Sequence, residues 1–200
     1  MIIHNNFEKK NKILYGIGKD NLKHLDISDG TLDLSLPGGG KKISFQKIIT
    51  FLNNNNLSST VIRVPQLIGY QLDKLYSAFD NAIIANNYPA DYKGVFPVKV
   101  NHKSYTLDKI VKYGTKYNHG WEIGTKAELL IVISFLKNKN TLIICNGTKD
   151  VDYVEAVLNL RNNGYQAILS FESERELKII IQLSKKLNIN RKQEYIKCRQ

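Results

Sequence analysis

Lys99 lies in an apolar run near the middle of the chain. Residues 92–102 read Tyr-Lys-Gly-Val-Phe-Pro-Val-Lys-Val-Asn-His, and the β-branched and aromatic residues predict a buried strand. Burial would lower the pKa of the lysine, and a neutral amine is the nucleophile that Schiff-base chemistry needs. The same spacing also fits a lysine at a strand end whose amine extends to water. Spacing alone leaves both interpretations open.

Two further polar residues stand at the ends of apolar strands. Glu122 ends the predicted strand 120–123, and Asn146 follows the predicted strand 141–145. Because parallel strands end at one rim of a sheet, Lys99, Glu122 and Asn146 are predicted to converge there, as groups that serve one small ligand must. Glu122 could hold the proton of the lysine or lie against a bound cofactor. The alternative is an exposed carboxylate at a strand end.

Other residues capable of chemistry are better explained by structure. Thr125 is typical of a helix N-cap, with Glu128 completing a capping box. We expect His102 in a loop and His119 at the opposite rim in a structural role. Cys145 lies in an apolar strand, where a thiol behaves as a small hydrophobe and its pKa rises.

The elements that must position these residues alternate regularly. The predicted strands are 93–100, 120–123, 141–145 and 166–171, and the predicted helices are 106–113, 125–137, 150–163 and 173–187. Alternation at this interval predicts an α/β fold with a parallel sheet covered by helices. A flavodoxin-like open sheet and a (β/α)8 barrel both fit this pattern.

The N-terminal third has a different pattern. Residues 1–12 are polar and expected to fray, whereas residues 15–36 alternate with period two around a Ser-Asp-Gly turn, which predicts a β-hairpin. The glycine-rich residues 37–42 lack P-loop spacing and are interpreted as a connector.

Two helices and a strand are expected beyond the connector. A short helix is predicted for residues 42–52, with Ile43, Ile48, Ile49 and Phe51 facing inward. A strand at 60–64, stopped by Pro65, and a helix at 68–83 follow.

Composition restricts the function classes. The formal net charge is +11, but 24 of the 29 basic residues are lysine, spread over predicted helix faces, whereas nucleic-acid recognition favours arginine. A lysine-rich nucleic-acid binder is therefore the weakest alternative. Cys145 and Cys198 have no partners at ligand spacing, so neither a zinc site nor a disulfide framework is expected. No long apolar run or leader pattern occurs, so we expect a cytoplasmic protein without membrane contact.

Three motifs and a tripeptide together resemble biosynthetic arginine decarboxylase. They are Phe-Pro-Val-Lys-Val-Asn at 96–101, Trp-Glu-Ile-Gly-Thr-Lys-Ala-Glu-Leu at 121–129, Ile-Cys-Asn-Gly-Thr-Lys-Asp at 144–150 and Val-Pro-Gln at 64–66. They occur in the family's order and roughly its spacing, and the resemblance covers about residues 15–190. It favours the barrel over the open sheet.

The resemblance implies a site and a reaction. Lys99 would hold pyridoxal phosphate as a Schiff base, with Glu122 and Asn146 as further cofactor-binding residues. The reaction would convert L-arginine to agmatine and carbon dioxide for polyamine and spermidine biosynthesis, and the cofactor would carry the chemistry. Magnesium is a second cofactor of the family, but no metal-ligand cluster is identifiable. The full-length family implies a homo-oligomer.

The resemblance also implies that the chain is the N-terminal portion of such an enzyme. The expected organisation is a segment 1–59 belonging to a β-domain, the first four units of a (β/α)8 barrel at 60–190, and a divergent tail at 191–200. The remaining catalytic groups would lie beyond residue 200, so the chain alone is expected to be inactive. The alternative is a non-catalytic remnant or a subunit that requires a second chain.

The tail departs from the family pattern. It has few apolar residues among charged ones, so we expect a frameshift or premature stop near codon 190 and a tail without a place in the sheet. The strand 166–171 would then present an open edge prone to aggregation.

Overall fold

The computed structural model describes residues 2–19, 22–36, 42–189 and 196–198. The chain divides into two compact units, Met1–Tyr70 and Gln71–Gln200. This division lies near the predicted boundary at residue 59, and the functional assignment of the segments stays a prediction. None of the helices described is long and apolar enough to cross a membrane.

The described part of the first unit contains a small antiparallel sheet and two complete helices. Its elements are α1 (Ile2–Leu14), β1 (Leu25–Ser28), β2 (Thr31–Ser35), β3 (Lys42–Ser44) and α2 (Phe45–Asn54). The predicted hairpin is confirmed: β1 pairs antiparallel with β2, and Ser28 lies opposite Thr31. Asp29 and Gly30 form the turn with φ of 51° and 72°, the left-handed geometry that two-residue hairpin loops require. β3 adds a third strand beside β2.

The prediction of a frayed N-terminus is wrong, because residues 2–14 form α1. Contacts with the hairpin stabilise this helix. Lys12 forms an ion pair with Asp26 at 2.7 Å, and the carboxylate of Glu8 accepts a hydrogen bond from the N–H of Gly30 at 2.8 Å. Such contacts join residues far apart in sequence, so local pattern does not reveal them.

Two further expectations in this unit are corrected. The helix expected at 42–52 begins only at Phe45, and Ile49 and Phe51 are exposed rather than inward-facing. Residues 60–64 form no strand, because β-branched residues make a strand only beside a partner backbone. Most of the connector, residues 37–41, lies outside the described residues.

Regular alternation of strand and helix follows the long helix α3 (Gln66–Ala85). The further elements are β4 (Val95–Pro97), α4 (Ser104–Gly114), β5 (Gly120–Ile123), α5 (Lys126–Phe135), β6 (Leu142–Cys145), α6 (Val151–Asn162), β7 (Gln166–Phe171), α7 (Glu174–Lys186) and β8 (Ile196–Cys198). The four predicted βα units are confirmed, and the predicted helix at 68–83 lies within α3.

The order of the strands separates the two sheet topologies that the sequence left open. All neighbours pair in parallel, and their spatial order is β4-β5-β6-β7-β8. A doubly wound sheet reverses its strand order at a switch point, whereas a barrel adds each strand beside the preceding one. This unit therefore has the architecture of the first half of a (β/α)8 barrel.

The core lies between the sheet and the helices that cover it. Fully buried side chains come from both layers: Ile123, Ile143, Cys145 and Leu169 from the strands, and Leu107, Leu129, Val132, Val154, Val157 and Ile180 from the helices. This apolar layer fixes the backbone of the strands, and the strand ends in turn position the polar residues that follow them.

The expectation that the tail has no place in the sheet is wrong for the three residues of β8. This strand pairs in parallel with β7, with Leu169 opposite Ile196 and Phe171 opposite Cys198. The backbone groups at the edge of β7 can pair with almost any sequence, so low apolar content did not exclude a strand. Residues 190–195 and 199–200 lie outside the described residues.

Candidate active site

Lys99 lies just beyond its predicted strand. β4 ends at Pro97, and Val98–Val100 form a single 3-10 turn. Val98 is fully buried, whereas the side chain of Lys99 is 67% exposed. The predicted burial of this lysine is therefore wrong, because the turn sends Val98 into the core and the amine toward solvent. The geometry matches the alternative of a lysine at a strand end.

Glu122 lies beside this amine. Its neighbours Trp121 and Ile123 are buried in the core, and strand alternation places Glu122 on the opposite face of the sheet. Its Oε1 atom is 3.8 Å from Nζ of Lys99, and only 14% of its side chain is exposed. The exposed amine therefore faces a carboxylate that is largely withdrawn from water.

Asn146 completes the predicted convergence. Its Nδ2 donates a hydrogen bond of 2.8 Å to Oε1 of Glu122, and its backbone N–H donates to the carbonyl of Ile123 at 2.8 Å. Lys99, Glu122 and Asn146 therefore form one connected row at the carboxyl ends of three neighbouring strands.

Ser170 extends this row and was missed by the sequence analysis. Its hydroxyl lies 2.8 Å from Oδ1 of Asn146 and 3.1 Å from the carbonyl oxygen of Cys145, and the residue is 5% exposed. One feature of the sequence could have identified it: Ser170 lies one residue before the end of the fourth predicted strand, near the rim where the other polar groups were expected. A lone serine in an apolar strand gave no reason to select it.

A glycine allows the loops after β5 and β6 to approach each other. Gly147 has φ of +73°, and a Cβ atom there would overlap the carbonyl oxygen of Gly124. Both the left-handed conformation and the close backbone approach require glycine. Gly147 therefore helps to place the adjacent Asn146.

The predicted cap of α5 is present in a slightly different form. Oγ1 of Thr125 accepts from the N–H of Glu128 at 3.2 Å, as predicted, but Oε2 of Glu128 accepts from Gly124 at 2.6 Å. Lys126 pairs with Asp150, the N-cap of α6, at 2.7 Å. These contacts support the structural interpretation of Lys126 and Glu128.

Lys149 and Glu176 connect the loop after β6 to the first turn of α7. Lys149 is 3% exposed; its Nζ donates to the carbonyl of Gly147 at 2.6 Å, and its backbone N–H donates to Glu176 at 3.0 Å. Burial raises the pKa of Glu176, but hydrogen bonds from the N–H groups of Glu172 and Lys149 outweigh it and hold this pKa below its usual value. The sequence analysis did not identify this pair.

The side chains of the other three candidates, His102, His119 and Cys145, form none of the contacts that build the row. His102 is exposed in a loop. His119 precedes the first residue of β5, and its Nδ1 lies 2.9 Å from the hydroxyl of Tyr76; burial lowers its pKa to about 4. Burial also raises the pKa of the Cys145 thiol to about 12. Among the described residues, no group of three or more His, Cys, Asp or Glu side chains could hold a metal ion.

Comparison with known proteins places this site in a family. The family model described as "Pyridoxal-dependent decarboxylase, pyridoxal binding domain" matches residues 72–195. This match spans most of the chain, including all four βα units and the polar row. The chain belongs to the pyridoxal-dependent decarboxylases.

Individual relatives are more specific. The chain is 37% identical over 176 residues to a biosynthetic arginine decarboxylase of Prochlorococcus marinus (strain CCMP1986), which covers 86% of this chain and 27% of the relative. It is 37% identical over 131 residues to an arginine decarboxylase of Solanum lycopersicum, covering 64% of this chain and 26% of the relative. The resemblance drawn from the motifs is confirmed.

A solved structure supports the fold. The crystal structure of the biosynthetic arginine decarboxylase SpeA from Campylobacter jejuni matches with a TM-score of 0.74 and 26% identity, covering 88% of this chain and 28% of that protein. The chain thus spans roughly a quarter of the length of the proteins it matches.

Proposed function

We propose that this chain is the N-terminal part of a pyridoxal phosphate-dependent arginine decarboxylase, which converts L-arginine to agmatine and carbon dioxide. The observation that carries the proposal is the position of Lys99: it lies at the carboxyl end of the first strand, inside the matched pyridoxal binding domain, beside a carboxylate 3.8 Å away. The names of the relatives supply the substrate.

The residues present suit an aldehyde cofactor. A primary amine must be accessible to form a Schiff base, and the side chain of Lys99 is mostly exposed. When bound, pyridoxal phosphate supplies an electron sink for the electrons released with carbon dioxide. Lys99 would hold the cofactor through its Nζ atom.

Glu122 has a defined role in this proposal. Its carboxylate lies within ion-pair distance of Nζ of Lys99, at 3.8 Å, and would hold the amine in position at the carboxyl end of the strands. Glu122 is itself fixed by Asn146 at 2.8 Å. Asn146 as a direct cofactor ligand stays a prediction from the resemblance.

The test is covalent trapping. After incubation of the full chain with pyridoxal phosphate and reduction with borohydride, mass mapping should find the pyridoxyl group predominantly on Lys99. Lys103, an exposed lysine four residues away, is the matched control. Equal labelling of Lys99 and Lys103 would contradict the assignment. Labelling of scattered lysines that is unchanged in a Lys99→Ala variant would contradict it as well.

The rival function is a non-catalytic subunit that requires a second chain. It is supported by the partial coverage of each relative. Mixing the chain with a chain that carries the remaining part of a relative would separate the two: decarboxylation that depends on Lys99 favours the enzyme, and assembly without turnover favours the subunit. Magnesium, a cytoplasmic location and a homo-oligomer stay predictions from the resemblance.

A further inference from the structure

The polar row, formed by Lys99, Glu122, Asn146 and Ser170, extends beyond the one residue that contacts the amine of Lys99 directly. Glu122 contacts the amine, Asn146 contacts Glu122, and Ser170 contacts Asn146. Ser170 lies in β7, two strands away from the strand that carries Glu122, and it is almost fully buried. Its hydroxyl therefore has a role other than contact with solvent.

The chemistry of the asparagine amide suggests that role. An amide has a donating end and an accepting end, and its orientation follows from its partners. A carboxylate only accepts, so the Nδ2 end of Asn146 must face Glu122 and the Oδ1 end must face a donor. The single hydroxyl proton of Ser170 has two acceptors within reach, Oδ1 of Asn146 at 2.8 Å and the carbonyl oxygen of Cys145 at 3.1 Å, and the shorter distance assigns it to Oδ1.

Loss of the hydroxyl would release this arrangement. Without the Ser170 hydroxyl, Oδ1 of Asn146 would lose its side-chain donor at a part-buried position, and the loss of a hydrogen-bond partner there is unfavourable. Rotation of the amide would not restore the network, since Oδ1 would then face the carboxylate of Glu122. The amide would therefore hold Glu122 less firmly at its position 3.8 Å from Lys99.

We propose that Ser170 is a positioning residue for Lys99: it orients the amide of Asn146, which in turn fixes the carboxylate of Glu122 beside the amine. In this arrangement Asn146 acts on Lys99 through Glu122. The proposal rests on the proposed function for the importance of Lys99, but the hydrogen-bonded row is independent of any cofactor.

The test measures the reactivity of Lys99 in the full chain with acetic anhydride, which acylates accessible amines and requires no cofactor. The acetylation of Lys99 is divided by that of Lys103 in the same molecule, which cancels differences in reagent. The variants are Ser170→Ala, Ser170→Thr, Glu122→Gln and the double variant Ser170→Ala/Glu122→Gln, with circular dichroism to confirm folding.

Glu122→Gln should raise the Lys99/Lys103 ratio about twofold to fivefold, the size expected when an exposed ammonium loses an ion-pair partner. Ser170→Ala should raise it about twofold, and Ser170→Thr, which keeps the hydroxyl, should restore the parent ratio. In the Glu122→Gln background, Ser170→Ala should have no further effect, because the route from Ser170 to Lys99 passes through the missing carboxylate.

An unchanged or lower ratio in Ser170→Ala would overturn the proposal, and so would an equal effect of Ser170→Ala in both backgrounds. The outcome is separable from that of the proposed function. If borohydride trapping fails at Lys99 while the acetylation ratios behave as expected, the cofactor assignment falls and the positioning role of Ser170 stands.

Discussion

Replacing Gly147 by alanine should destabilise the protein far more than the same change at another glycine of the same unit. Gly147 has φ of +73°, and a left-handed conformation costs an alanine roughly 1–2 kcal/mol. The added Cβ would also overlap the backbone carbonyl of Gly124, which can move only by shifting the loop after β5. Overpacking of this kind costs about 1–3 kcal/mol, so we expect a total loss of roughly 2–5 kcal/mol.

Gly164 provides the matched control. Its φ of +85° carries a similar conformational cost, but a Cβ there would meet only the flexible side chain of Lys139, at 3.6 Å from Cδ. Gly164→Ala should therefore cost only about 1–2 kcal/mol. The difference between the two variants isolates the close approach of the loops around Asn146.

Urea denaturation of the full chain, followed by circular dichroism, measures both losses. If the slopes of free energy against urea agree, the shift in midpoint gives the difference in the free energy of unfolding. Equal losses for Gly147→Ala and Gly164→Ala would refute the reasoning, because they would mean that the Gly124 carbonyl moves aside without cost.

Three further predictions concern pH, catalysis and capping. Burial lowers the pKa of His119 from its ordinary value of 6.5 to about 4. The unfolded chain therefore binds the proton first, and the stability should fall as the pH drops from about 6.5 to 4. Allowing for the partial exposure of the ring, we expect the free energy of unfolding to fall by roughly 2 kcal/mol. This loss should disappear in His119→Gln but persist in His102→Gln, measured by urea denaturation at pH 7 and pH 4.5. The chain alone should release carbon dioxide from arginine no faster than free pyridoxal phosphate, and turnover that Lys99→Ala abolishes would show this to be wrong. Thr125→Ala should lower the free energy of unfolding by about 1 kcal/mol, because it removes the side chain that caps α5. A loss below the error of the measurement would indicate that Glu128 caps the helix unaided.

The local sequence pattern was sufficient to predict those elements whose bounds are set by neighbouring residues. The strands Gly120–Ile123 and Gln166–Phe171 have the predicted bounds, because short, mostly apolar runs bounded by turn residues are typical of strands that are largely withdrawn from solvent. Asp150 and Ser173 mark the starts of α6 and α7 through side chains that accept from N–H groups in the first turn. The convergence of Lys99, Glu122 and Asn146 also followed from sequence, since parallel strands must end at one rim.

Other features depended on contacts between distant segments. α1 is held by an ion pair and a hydrogen bond to the hairpin, and residues 60–64 form no strand despite their β-branched side chains. β8 exists because the edge of β7 offers backbone partners. In each case the outcome depends on whether a partner far away in sequence is present.

In the candidate active site, too, some features follow from the sequence and others only from the tertiary structure. The sequence determined which strand ends carry an amine, a carboxylate and an amide, because these follow from residue type and period. Only the tertiary structure decided that the amine of Lys99 is exposed, since the buried position was taken by Val98 in the turn after β4. It also decided that Ser170 completes the row: whether a serine in an apolar strand meets a polar partner depends on the register between β6 and β7, which a linear sequence does not contain.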